Sequence, residues 1–154
     1  MFKSLGIILS LFLSSITYAS FFPKDYESSK QRFLESSRQV ANIYKNVVMG
    51  TINVGEEKLT INYLFVPAKV TQQKVIAITS GNHGPEAYAG AALQHQFFNK
   101  SMASIDHDKT AYLLIHALNP WGFKYHRRGT ENNVNLNRNF DISSQIFQTP
   151  NKGY

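Results

Sequence analysis

His83 and Glu86 stand three residues apart in the run Ser80-Gly81-Asn82-His83-Gly84-Pro85-Glu86. A turn that opens a helix brings positions so spaced to one side, where an imidazole nitrogen and a carboxylate oxygen can reach the same ion. Those donors suit zinc, and two histidines with one glutamate around an open position make a catalytic set. A carboxylate in the first turn of a helix is also stabilised by the helix dipole with no metal present. The spacing leaves both readings open. A second concentration of chemistry lies in residues 123–140, which hold Lys124, Arg127, Arg128, Arg138, His126 and five asparagines. A planar guanidinium can grip a carboxylate with two parallel hydrogen bonds. A cation aimed at a developing oxyanion is among the larger catalytic effects. The other readings of these arginines are a solvated loop and phosphate binding. A polar segment this long inside a compact domain is usually functional or disordered, and the ordered-looking strand before it favours a functional one.

The surrounding pattern predicts the elements that hold these residues. Residues 23–46 read as a helix, with Phe33, Leu34, Val40, Ala41 and Tyr44 at helical spacing. Residues 47–54 and 59–67 read as strands joined by Gly55-Glu56-Glu57-Lys58 in a hairpin. In the second of them Leu59, Ile61, Tyr63 and Phe65 alternate with Thr60, Asn62 and Leu64, a half-buried pattern. The short apolar run at 74–80 suits a buried central strand. Pro85 sits where proline best opens a helix, and that helix is expected over 86–100. A loop at 101–109 leads to another apolar strand at 110–118, broken by Asn119-Pro120-Trp121-Gly122. Strand, helix, strand in this order predicts a parallel βαβ unit. The opening hairpin makes the sheet mixed, so the fold class is α/β: a mixed, largely parallel sheet flanked by helices in one domain. Ligand sites in such folds gather at the carboxyl ends of parallel strands, which is where His83 falls.

The chain has 154 residues, 43% of them hydrophobic and 17% charged, with a formal net charge of +6. It has no cysteine, so disulfides, iron–sulfur clusters and a thiolate nucleophile are excluded. No like-charge run is long enough for a nucleic-acid tail, and no nucleic-acid partner is expected. Residues 1–19 combine Lys3, an apolar core from Leu5 to Ile16 and small residues at Thr17 and Ala19. That is a signal-peptide pattern, and its apolar stretch is shorter than the ~20 residues of a membrane span. The expectation is an exported protein, periplasmic or secreted, of residues 20–154, with no stable membrane anchor after cleavage.

Three segments in order, Ser80–Ala92 (SGNHGPEAYAGAA), His116–Phe123 (HALNPWGF) and Arg127–Phe140 (RRGTENNVNLNRNF), resemble the zinc carboxypeptidase superfamily. The likeness is greatest to an uncharacterised exported bacterial branch classed as a domain of unknown function, and it runs from Phe21 to Tyr154. The resemblance implies a zinc-carboxypeptidase-like fold and a metallopeptidase-type hydrolase of peptide or amide bonds near a free carboxylate. Its substrate would be a peptide or an acyl-amino acid. It makes His83 and Glu86 two zinc ligands, Arg128 the catalytic group that polarises the scissile carbonyl, and Asn137 and Arg138 the binders of the substrate carboxylate. Arg127, beside Arg128, could take its role.

The chain departs from the family pattern in two places. Asn135 stands where the family has an aspartate that hydrogen-bonds the zinc-bound histidine, so weaker zinc binding is expected. The family's third ligand, a downstream histidine, and its catalytic glutamate have no counterpart by Tyr154. The resemblance therefore implies the amino-terminal part of such a domain, with one incomplete zinc site and no turnover from residues 20–154 alone. His116, at the end of a strand, could approach the site or be a core histidine. A truncated remnant that binds zinc or carboxylates weakly, an amide deacylase of the same fold and a basic exported binding module are the alternatives.

Overall fold

The computed structural model describes residues 21–138. The expected signal segment and the end of the last motif, from Asn139 on, lie outside the described residues. Helix α1 spans Tyr26–Ile43, strand β1 Val48–Val54, β2 Leu59–Val66 and β3 Lys74–Thr79. Helix α2 follows at Gly84–Lys100, then a single 3-10 turn at Met102–Ser104, β4 at Thr110–His116 and α3 at Pro120–Tyr125. Helix α1 starts later than expected because Asp25 caps it. The Asp25 carboxylate accepts from the Ser28 N–H at 2.7 Å, and the Ser28 hydroxyl bonds the Asp25 N–H in return.

The four described strands form one mixed sheet in the order β1-β2-β4-β3. β1 and β2 are the expected antiparallel hairpin, β2 pairs antiparallel with β4, and β3 runs parallel to β4. The sheet is α/β and mixed, but its described part is not largely parallel. β3 is not central either. Among the described strands it lies at an edge, with Val75 and Ile76 50% and 43% exposed. The reason is topological: α2 carries the chain from β3 to β4, and β4 pairs between β3 and β2. An apolar edge of this kind is a site for unwanted strand pairing.

Strand β2 is half-buried, as its alternation predicts. Asn62, Leu64 and Val66 are buried, while Ile61, Tyr63 and Phe65 are half-buried on the other side. Leu64 and Val66 join Tyr112 and Leu114 of β4 beneath Phe33 and Val40 of α1 and Phe98 of α2. Asn62 tolerates burial because its side chain donates to Thr60 Oγ1 and accepts from Thr51 Oγ1. The α1 stripe against the core is rich in serine: Ser29, Ser36 and Ser37 are buried beside Tyr26, Phe33 and Val40. Leu34 is half-buried and Ala41 exposed.

Candidate functional site

The parallel pair β3–β4 continues past its regular strands. Ser80 N–H donates to Ile115 O, Leu118 N–H to Ser80 O, and Asn119 N–H to Gly81 O at 2.7 Å. Both segments then turn into helices, α2 with His83 at its N-cap position but no side-chain capping bond, and α3 capped by the Asn119 side chain. Two such turns fit side by side only if they are lined by glycine. A Cβ on Gly84 would lie 1.8 Å from the Gly122 carbonyl oxygen, and Gly81 has a φ of +68°. Gln94 of α2 is 3% exposed and fastens the unit from below. Its amide donates to the carbonyls of Ile78 and Ile115, one in each parallel segment, and it accepts from the Ser80 hydroxyl.

At this end of the sheet His83 Nδ1 lies 3.4 Å from Glu86 Oε1. The side chains therefore converge. His83 Nε2 lies 3.1 Å from Asn135 Oδ1. The same oxygen accepts the Asn137 backbone N–H at 3.2 Å, which fixes which way the Asn135 amide points. The imidazole must then carry its proton on Nε2, and in the neutral ring Nδ1 presents a lone pair to Glu86. A lone pair and a carboxylate oxygen do not hydrogen-bond. A proton on Nδ1, giving an ion pair, or a cation between the two atoms resolves the contact. Two donors ~2.1 Å from a tetrahedral centre sit roughly 3.4 Å apart, so the separation fits a shared zinc-sized ion.

The basic segment is drawn to the same turn by its backbone. Gly84 N–H donates to Arg127 O, and Arg127 N–H to Gly122 O. Buried Asn119 accepts from Gly122 N–H at 2.8 Å and donates to Gly129 O at 3.0 Å, so one side chain both caps α3 and holds the arginine segment. Arg138 N–H donates to Asn135 O. Arg127, Arg128, Asn137 and Arg138 are all exposed, and Arg127 and Arg128 form no ion pair among the described residues.

A model of a family described as proteins of unknown function, DUF2817, matches residues 22–154. The chain belongs to the DUF2817 family. No curated protein matches it.

The remaining histidines of this DUF2817 chain do not join His83. His116 is 1% exposed, ringed by Tyr26, Phe33 and Phe123, with Nε2 2.7 Å from Ser29 Oγ. It is a core histidine, and burial pulls its pKa down to about 4. His126 caps α3 in the left-handed region and stacks on Tyr88. His107 packs edge-on against Tyr44, and His95 bonds Asn99. Among the described residues no three His, Cys, Asp or Glu side chains are grouped to hold a metal. Glu131 lies elsewhere, with its carboxylate against Gly55 of the β1–β2 turn. No described helix is long and apolar enough to cross a membrane.

Gln94 and Ser29 do positioning work that their sequence context does not advertise. Asn119 stood out only as part of a strand-breaking Asn-Pro pair. That signal, an asparagine directly before a proline at a helix start, is a capping signature.

Proposed function

We propose that this DUF2817 chain carries part of an exported zinc-dependent hydrolase site of the carboxypeptidase type, acting on a peptide or amide bond near a free carboxylate. The observation that carries the reading is the imidazole whose Nε2 is held by Asn135 Oδ1 while Nδ1 meets Glu86 at 3.4 Å. His83 and Glu86 would hold the ion. Zinc, when bound, polarises a carbonyl and makes water more acidic. Arg128, with Arg127 beside it, is the cation for the oxyanion, and Asn137 and Arg138 take the substrate carboxylate. Their exposure around the His83 turn leaves them open to an arriving anion. A peptide and an acyl-amino acid both offer that carboxylate, so deacylation belongs to the same proposal. The signal-like residues 1–19 support export to the periplasm or beyond.

Among the described residues no third His, Cys, Asp or Glu is grouped with His83 and Glu86. The second reading is that this pair, with the exposed arginines, binds zinc or carboxylates without turnover. Calorimetric zinc titration of the full chain tests what the two share. We expect weak binding, since two protein donors leave half of a four-coordinate ion to water, and its loss in His83→Ala and in Glu86→Ala. Binding unaffected by both substitutions would overturn the site. A panel of peptides and acyl-amino acids with added zinc and a chelator control separates the readings: chelator-sensitive cleavage that falls roughly 100-fold or more in Arg128→Ala supports the hydrolase, and zinc binding with no cleavage supports the second.

A further inference from the structure

A second concavity lies on the same end of the sheet but is built from other residues. Its volume is about 350 Å³, near the lower end of the usual range for a small-molecule site. The walls are mainly apolar, Val54 and Ile61 from the hairpin, Leu118 after β4, Trp121 of α3 and Leu136 from the basic segment, with Thr130 and Asn132 at their polar side. One charged side chain, Glu131, enters this lining. Its carboxylate rests on the β1–β2 turn, and a Cβ at Gly55 would come within 2.7 Å of both oxygens. Gly55 also has a φ of +70°, so the turn needs glycine for its backbone as well as for the space the carboxylate fills. Glu131 forms no ion pair among the described residues. Its acidic neighbour on the turn, Glu57, differs in this respect, because Lys124 and Tyr125 both bond it.

We infer that this cleft is a binding site for a small organic amine, with an apolar body between Trp121 and Leu136 and an ammonium on Glu131. Charge complementarity argues for a cation. The chain carries a net charge of +6, yet this apolar cleft presents a single carboxylate and no basic residue. The aromatic wall suits the apolar body, since an indole offers a large apolar face. Tyr125 packs against Trp121 with ring centroids 5.0 Å apart and backs that wall. The site does not depend on a metal at His83, although one loop serves both: Asn135 bonds His83 while Leu136, next in the chain, lines the cleft.

Trp121 is the only tryptophan of the chain, so its emission reports on this cleft. The full chain, with chelator present to exclude any metal effect, is titrated with 2-phenylethylamine and with its neutral counterpart 2-phenylethanol. We expect a saturable change in Trp121 emission, at least tenfold tighter for the amine, with the preference weakened by salt. Glu131→Gln should bring the amine to the affinity of the alcohol. Equal affinity for the two probes in the unaltered chain, no saturable change with either, or an amine preference that survives Glu131→Gln would overturn the proposal. The salt dependence in the unaltered chain keeps the test decisive if Glu131→Gln fails to fold.

Discussion

Gly84→Ala is expected to destabilise the protein at or above the upper end of the ~1–3 kcal/mol usual for overpacking. By helix propensity the change should do the reverse, because alanine in a helix is worth roughly 0.5–1 kcal/mol over glycine. Geometry decides the sign. A Cβ at Gly84 would lie 1.8 Å from the Gly122 oxygen and 2.6 Å from the Arg127 oxygen. Both are backbone atoms, held by Asn119 and by the Gly84 N–H bond to Arg127 O, so neither can swing aside as a side-chain tip would. Separating α2 from α3 to relieve the clash also moves the basic segment away from His83. Thermal unfolding should show a fall in Tm of roughly 10 °C. Gly90→Ala in the same helix is the internal control: its Cβ would meet Ser80 Cβ at 3.3 Å, and a near-neutral result is expected. A Gly84→Ala protein as stable as the parent would mean that the two helix starts are not packed backbone to backbone.

The second large effect is with pH. Burial among aromatic rings lowers the His116 pKa from an ordinary 6.5 to about 4. In the unfolded chain His116 takes up a proton as the pH drops through 6.5, whereas in the folded protein it stays neutral until about 4. The unfolded state therefore binds more protons across that window, and stability is full above pH 6.5 and falls as the pH drops to 4. The gap corresponds to about 3 kcal/mol. His95 adds to the slope in the same direction, its pKa lowered by burial and then by Arg32. Asp25, whose pKa the Ser28 backbone N–H lowers, loses its contribution only at more acid pH. In His116→Phe the stability at pH 7 should fall, since Ser29 Oγ loses its partner, but the difference between pH 7 and pH 4.5 should shrink by about 2 kcal/mol. Urea unfolding at the two pH values reads this directly. An undiminished difference would show that other groups carry the acid sensitivity.

The candidate site was more legible in the sequence than the sheet around it. His83 and Glu86 follow a strand, a glycine turn and a proline, and that order leaves few ways to place them except together. The position of β3 was hidden because an apolar run reports that both faces of a strand seek cover. It says nothing about which strand lies alongside, and pairing with β4 left β3 at the edge. The alternation of β2 left its inward face unassigned, and Asn62 looks like a solvent residue. Its burial depends on Thr51, in the adjacent strand, which pairs with it across the hairpin. Asn135 could be read as the weak member of the motif. Its double role, accepting from His83 and from the Asn137 backbone, depends on a loop conformation that no local pattern reveals.

In the proposed zinc site His83 offers Nδ1 to a metal shared with Glu86 while Asn135 keeps the proton on Nε2. Nitrogen-15 NMR of the histidine side chains during a zinc titration at neutral pH tests this most directly. The account predicts that zinc shifts the His83 Nδ1 resonance, that Nε2 stays protonated, and that Glu86→Ala removes the response. Zinc at His83 Nε2, or a response confined to His95, His107 or His126, would contradict it.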